Sequence, residues 1–209
     1  SGSDRVLQQM RRSYRSDRYL GILDRVRSAI PHAAITTDII VGFPGETEED
    51  FQATLDVCST ARFTAAYTYQ YSKRPGTPAA TMPDQISDAV VADRYTRLHN
   101  HQQGISLSVN QEAIGTHHKI LVGDYEGRRD EAQARLTGRS EDFRLVHFDN
   151  TFVARPGDEV TVRITDASAH YLIGDPLSVR QTRGAEAHAA RIAQPGPVAT
   201  MLGIPTVKR

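Results

Sequence analysis

Seven consecutive residues, Val41-Gly42-Phe43-Pro44-Gly45-Glu46-Thr47, are the stretch of this chain best suited to holding a ligand. They follow an apolar, β-branched run and precede a helix signal. Ligands of parallel sheets bind at the carboxyl edge of the strands, and the free N–H groups of a helix start suit a polar ligand. Gly42 and Gly45 would let it approach the backbone closely. No Gly-Lys-Ser/Thr follows, so the turn is not a phosphate loop. A strand-to-helix turn that merely needs glycine accounts for the same residues, and local pattern alone favours that simpler account. Asp38 lies inside the apolar run just upstream. Burying a lone charge is costly, so Asp38 is functional, or paired with an arginine of residues 11–18, or facing water at the strand entry. Arg11, Arg12, Arg15 and Arg18 could grip a carboxylate or phosphate bidentately, although a solvated helix junction explains them as well. Past a second strand, Tyr71-Ser72-Lys73-Arg74-Pro75-Gly76-Thr77-Pro78-Ala79 offers two adjacent cations and a hydroxyl to an anion or an RNA backbone. The alternative is a rigid Pro/Gly loop with exposed charge. Cys58 falls on an apolar helix stripe as buried filler. His99 and His101 sit two apart on a helix, and His117 and His118 are adjacent in a strand, so neither pair shares a face for a metal.

The elements that must position these residues follow from periodicity. Ser16 can cap a helix whose apolar positions are Tyr19, Ile22, Leu23, Val26 and Ile30, ending at Pro31. Ala34–Val41 is a buried strand. Thr47 caps the next helix, with Asp50 in a capping-box place and Phe51, Thr54, Leu55 and Cys58 facing inward. A second strand spans Phe63–Tyr71, with Phe63, Ala65, Tyr67, Tyr69 and Tyr71 on one face. A Pro-rich loop over 72–83 leads to a long helix carrying Val91, Tyr95, Leu98, Ile105 and Val109. Strands alternating with helices predict an α/β unit over 1–114, a parallel sheet with helices outside. Residues 115–176 change character, with short strands at Lys119–Asp124, Ala134–Arg139, Leu145–Phe148, Glu159–Thr165 and Tyr171–Ile173. These predict a small barrel or sandwich, with antiparallel strands. Residues 177–209 are rich in Ala, Pro and Gly and predict a disordered tail, with a transient helix at Ala185–Ala193.

The 209 residues carry 25 Lys+Arg against 25 Asp+Glu, so net charge gives no bulk attraction to polyanions or anionic membranes. The balance is uneven along the chain: 12 basic and 13 acidic residues in 1–114, 8 and 11 in 115–176, and 5 and 1 in the tail. One cysteine excludes an internal disulfide, which fits a reducing, cytoplasmic setting, and excludes any site built from several thiolates of this chain. No apolar run approaches a membrane span, and the polar start SGSDRVLQQM is no signal peptide. Lacking an initiator Met, the chain is expected to be a fragment.

Several strings resemble the radical-SAM methylthiotransferases, in that family's order and spacing. They are Ser1-Gly2-Ser3-Asp4-Arg5-Val6-Leu7, Met10-Arg11-Arg12-Ser13-Tyr14, Asp38–Thr47 and Tyr71–Ala80. Gly115, Leu136-Thr137-Gly138-Arg139-Ser140, Val146-His147-Phe148 and Gly157-Asp158-Glu159-Val160 resemble the family's TRAM domain, a small RNA-holding barrel. The resemblance covers roughly residues 1–176. It implies the C-terminal half of a radical-SAM, partial TIM-like barrel followed by a TRAM barrel.

The family resemblance implies a chemistry. One [4Fe-4S] cluster, held by a Cys-x3-Cys-x2-Cys motif, cleaves S-adenosylmethionine to a radical that abstracts hydrogen at carbon 2 of an isopentenylated adenine beside the tRNA anticodon. A second cluster supplies sulfur for the methylthio group that replaces it. The cofactors do the difficult chemistry and the protein places them. Neither cysteine set is present here, so the chain is expected to bind no cluster, to hold no metal and to be inactive without the missing N-terminal half. The resemblance places Ser3 and Arg12 near the methionine or ribose of S-adenosylmethionine, Asp38 as a polar anchor, Gly42 to Gly45 along the adenine or ribose, and Tyr71 beside the adenine. It assigns RNA contact to the barrel domain, where Arg135, Arg139, Arg144 and Arg163 could form a local stripe, and Lys73 and Arg74 are further candidate RNA contacts. Arg74-Pro75-Gly76-Thr77 favours the tRNA branches over the ribosomal-protein branch. A threonylcarbamoyl-adenosine enzyme and a non-enzymatic RNA-binding module are the alternatives. An opened sheet exposes strand edges, which predicts self-association.

Overall fold

The computed structural model describes residues 1–123 and 135–193. These form α1 (Asp4–Gln9), α2 (Ser16–Ala29), β1 (Thr36–Val41), α3 (Glu48–Ala61), β2 (Ala65–Gln70) and α4 (Asp88–Gln111). The barrel strands follow: β3 (His117–Val122), β4 (Arg135–Ser140), β5 (Leu145–Asp149), β6 (Glu159–Ala167) and β7 (Leu172–Arg180), then α5 (Arg183–Ala193). The predicted strand ends Asp124 and Ala134, and the tail beyond residue 193, lie outside the described residues.

Local chemistry sets α3 most completely. Thr47 accepts from the Asp50 backbone N–H while the Asp50 carboxylate accepts from the Thr47 N–H, a reciprocal capping box. Phe51, Thr54, Leu55 and Cys58 are all buried, as the stripe predicts. The Ser16 cap is not made. Arg15 holds that position, and Ser16 instead donates its N–H and hydroxyl to Asp4 Oδ1 at 2.8 and 2.9 Å. On α2 Leu23 is buried, whereas Ile22 and Ile30 are exposed and Tyr19 and Leu20 supply the packing.

Strands β1 and β2 pair in parallel, with Asp38 beside Tyr67 and Ile40 beside Tyr69. Ile39 and Val41 join Phe51, Leu55, Phe63 and Leu98 in one core beneath the helices. The opposite face, with Asp38 and Ile40 on β1 and Ala65, Tyr67 and Tyr69 on β2, is exposed. The expected shared face therefore holds over the strand itself and not at its ends. Phe63 precedes the strand and is fully buried, and Tyr71 is half-buried with its ring edge-on to Phe43 at 5.5 Å.

Helix α4 departs from its apolar pattern. Val91 and Leu98 are buried, but so are Arg94, Gln102, Ser106 and Asn110. Gln102 donates to the Phe63 carbonyl at 2.9 Å and to Ser106 at 3.0 Å, while Gln102 Oε1 and Asn110 Oδ1 are buried without a hydrogen-bond partner among the described residues. At the far end of α4, Asn110 donates to the Ser168 carbonyl at 2.8 Å, the Gly115 N–H donates to the Ile164 carbonyl at 2.8 Å, and the Ile164 N–H donates to the Thr116 carbonyl at 2.9 Å. The helix thus runs into the barrel without a free linker.

The five strands close in the order β3-β4-β5-β7-β6 around Ile120, Val122, Val146, Phe148, Val160, Val162, Ile164 and Leu172. The barrel is mixed and not wholly antiparallel, because β5 and β7 pair in parallel. Strand β7 also runs on to Arg180, beyond the predicted Ile173 and into residues assigned to the tail. Helix α5 follows, and Ala185 on it is fully buried. The cause is Asp158, itself fully buried, whose carboxylate accepts from Arg155 N–H at 3.0 Å and Thr182 N–H at 2.9 Å. One aspartate ties the chain after β7 to the loop before β6.

Candidate functional site

At the carboxyl end of β1 the chain turns through Gly42 and Gly45, both in the left-handed region at φ 81° and 77°. A Cβ on Gly42 would lie 2.5 Å from a Val91 methyl, so this glycine serves the close approach of α4 as well as the turn. The Gly42 N–H donates to Glu46 Oε2 at 2.8 Å, and the Gly45 N–H donates to the Asp84 carbonyl at 2.9 Å. Backbone donors of both glycines are therefore engaged within the protein. The Gly45 carbonyl accepts from Arg5 at 2.6 Å.

Glu46 and Arg94 hold this turn from beneath. Their side chains are 0% and 6% exposed and meet at 3.0 Å, and the same Arg94 nitrogen also donates to the Glu46 carbonyl at 3.0 Å. Arg94 reaches Glu48 at 3.5 Å, and Arg97 joins Glu48 at 2.6 Å. Burial pushes the Glu46 carboxyl up, against the opposing pull of the Gly42 N–H and Arg94. Neither residue stands out in the sequence as part of a site. The available signal was a charged residue at an inward helix position, three after Val91 and four before Leu98.

Asp50 organises the other side of the turn. Burial alone would raise its carboxyl, but hydrogen bonds from Arg5, Ser3 and Thr47 hold it well below the usual carboxylate range. Ser3, a predicted ligand residue, is 6% exposed, donates its hydroxyl to Asp50 at 2.5 Å and caps α1. Its hydroxyl is thus committed to fastening α1 onto α3. Three buried polar atoms around the turn have no partner among the described residues: Gln9 Oε1, Glu46 Oε1 and the Tyr71 hydroxyl. Gln9 lies against Gly45, and Tyr71 against Phe43.

The remaining predicted ligand residues sit apart from that turn. Asp38 is exposed on the open face of β1 with no ion pair among the described residues, so of its three accounts the arginine pairing is not the one observed. It lines a cleft with Leu7, Tyr19, Thr54, Cys58 and Phe63, at the amino half of β1. Arg12 is exposed. Cys58 is 1% exposed and burial pushes its thiol up to about 11, so it stays protonated at neutral pH. Among the described residues, no three His, Cys, Asp or Glu side chains gather closely enough to hold a metal ion.

The basic residues divide. Lys73 and Arg74 are exposed in the loop after β2 and make no ion pair among the described residues. The barrel arginines are each engaged locally: Arg135 with Asp149 at 3.7 Å, Arg139 with the Phe143 carbonyl at 3.0 Å, Arg144 with Asp142 at 2.5 Å and Arg163 with Asp175 at 3.6 Å. Arg144 is only 15% exposed. Of the stripe drawn from the sequence, Arg135, Arg144 and Arg163 are ion-paired, whereas Arg139 has no acidic partner among the described residues.

Residues 1–58 match the Radical SAM superfamily and residues 115–177 match the TRAM domain. Among curated proteins, the chain is 56% identical over 221 residues to a tRNA-2-methylthio-N(6)-dimethylallyladenosine synthase of Mycolicibacterium smegmatis, covering 97% of this chain and 43% of the relative. It is 59% identical to the protein of that name from Mycolicibacterium paratuberculosis, covering 99% of this chain and 40% of the relative. It is 57% identical to that from Nocardia farcinica, covering 99% and 42%. The chain spans about two fifths of the length of these relatives. The two matches, in this order along the fold described, identify the chain as part of a Radical SAM superfamily domain followed by a TRAM domain.

Proposed function

We propose that this chain is the portion of a tRNA methylthiotransferase that places S-adenosylmethionine and the substrate tRNA. The reaction adds a methylthio group to carbon 2 of N6-isopentenyladenosine next to the anticodon. The observation that carries the cofactor half is the group of unpartnered buried polar atoms, Gln9 Oε1, Glu46 Oε1 and the Tyr71 hydroxyl, around one glycine turn. Buried polar groups are almost always satisfied, and a polar ligand at this turn would satisfy them. Gly42 lets the turn sit close on α4, Gly45 keeps the backbone clear for the adenine or ribose, Tyr71 flanks the adenine, and Arg12 and Asp38 offer opposite charges to the methionine end. Ser3 contributes by fixing α1 at the margin of the site. S-adenosylmethionine, when bound, supplies the reactive group that an iron–sulfur cluster releases. The residues of this chain do not fit either [4Fe-4S] cluster, because a single buried thiol held protonated cannot supply a three-cysteine motif. No step of the reaction is assigned to it, and the chain alone is inactive.

The tRNA anticodon stem-loop is the proposed macromolecular partner, through Lys73 and Arg74 beside the sheet and Arg135 and Arg139 on the barrel. Setting is cytoplasmic, as for other tRNA-modifying enzymes. The open edges of the two-stranded sheet support self-association of the chain. Deleting the gene that encodes this sequence and digesting the cellular tRNA tests the activity. The expected nucleoside mass spectrum loses 2-methylthio-N6-isopentenyladenosine and accumulates its unthiolated precursor. An unchanged spectrum, or loss of the threonylcarbamoyl-adenosine derivative instead, would overturn the substrate assignment.

A further inference from the structure

The open face of the β1–β2 sheet carries more aromatic surface than a solvated strand needs. Tyr67 is 63% exposed and Tyr69 is 50% exposed, and they project from alternate positions of one strand. The parallel register sets them beside Asp38 and Ile40 of β1. The opposite face of β2 is already used, with Ala66 against the helical core. Two residues beyond the strand, exposed Ser72, Lys73 and Arg74 continue the same path. At about 3.3 Å per residue, Tyr69 and Lys73 are about 13 Å apart at most. Adjacent aromatic rings followed by unpaired cations are the two components of a single-strand nucleic-acid track: rings stack on bases, and cations follow the backbone.

We propose that Tyr67 and Tyr69 form the platform on which an unpaired purine of the RNA substrate stacks, while Lys73 and Arg74 hold its adjoining phosphates. Charge favours this occupant over a protein segment, because Lys73 and Arg74 at the end of the track have no acidic partner among the described residues. The platform is separate from the glycine turn, where Tyr71 is half-buried against Phe43. The inference rests on the tRNA-modifying reading above, and it names the residues that receive the base.

The test uses the 209-residue chain and an anticodon stem-loop RNA with 2-aminopurine in place of the loop adenine beside the anticodon. Binding is expected to quench 2-aminopurine severalfold. The Tyr67→Leu/Tyr69→Leu variant is expected to lose that quench and to bind about 10- to 100-fold more weakly, the usual range for losing base–aromatic stacking. Tyr67→Phe/Tyr69→Phe should retain both. Lys73→Ala should weaken binding and flatten its salt dependence while leaving the quench at saturation. Circular dichroism and melting confirm that each variant is folded. A folded leucine variant with full quench and affinity overturns the proposal, as does a wild-type chain that binds without quenching or does not bind. Failure of the methylthiolation assay with this result intact would reject the activity and keep the platform.

Discussion

Removing the Arg94 guanidinium should unfold the glycine turn from beneath. Arg94→Met leaves the Glu46 carboxylate fully buried with one remaining donor, the Gly42 N–H. It also severs the bond from Arg94 to the Glu46 carbonyl and the contact with Glu48. Breaking a buried, hydrogen-bonded ion pair by removing one partner costs about 3–5 kcal/mol. The core around Phe51 and Phe63 is distinct from the barrel core around Phe148, so calorimetry should show the loss in the transition of the first unit alone. At about 4 °C per kcal/mol for a unit of that size, a 3 kcal/mol loss lowers its midpoint by about 12 °C. Adding Glu46→Gln removes the stranded charge while keeping an acceptor for Gly42, so the double variant should be more stable than Arg94→Met. The pH dependence has a definite sign. Burial already raises the Glu46 carboxyl, and losing the cation raises it further. The folded variant therefore holds a proton that the unfolded chain releases, and its stability falls as pH rises through that window. The deficit against wild type should be smaller at pH 5 than at pH 8. A midpoint within about 2 °C of wild type, or a double variant worse than the single, would refute the reasoning.

Three other outcomes follow from single contacts. Gly42→Ala places a Cβ 2.5 Å from Val91 at a φ of 81°, and should cost at least about 2 kcal/mol by denaturant unfolding, with Val91→Ala restoring only the steric part. Asp158→Ala removes the acceptor shared by Arg155 and Thr182, so limited proteolysis should cut within 181–193 while the barrel core stays protected. Cys58, with its thiol pushed up to about 11, should react with a thiol reagent at pH 8 only at the rate of unfolding, and a fast stoichiometric reaction in the native state would contradict its burial.

Legibility from sequence tracked how local the determining physics is. The Thr47–Asp50 cap and the Phe51–Cys58 stripe act within two helical turns, and both were readable. The barrel was readable as short alternating strands, but its β5–β7 parallel pair was not, because pairing direction is decided by closure and leaves no mark in either strand. On α4 the apolar residues were found while Arg94, Gln102, Ser106 and Asn110 were missed, since polar residues enter a core only when a distant partner satisfies them. Asp158 shows the same blindness: its partners Arg155 and Thr182 lie on both sides of two strands, and without them the residues after β7 look like a tail. Of the candidate site, the turn and its glycines were legible. The Glu46–Arg94 foundation was not, because 48 residues separate the pair.

Helix α4 is fastened at both ends, at Glu46 through Arg94 and at Ser168 through Asn110. Those anchors are sixteen residues apart, or about 24 Å of helix. Such a rod acts as a spacer with a phase as well as a length. Inserting one residue between the anchors would swing the barrel about 100° around the rod while advancing it only about 1.5 Å. A four-residue insertion would leave the barrel only about 40° out of phase but carry it about 6 Å further from the turn. A nucleic acid that must touch both ends therefore tolerates changes on the surface of this helix far better than changes in the number of residues along it.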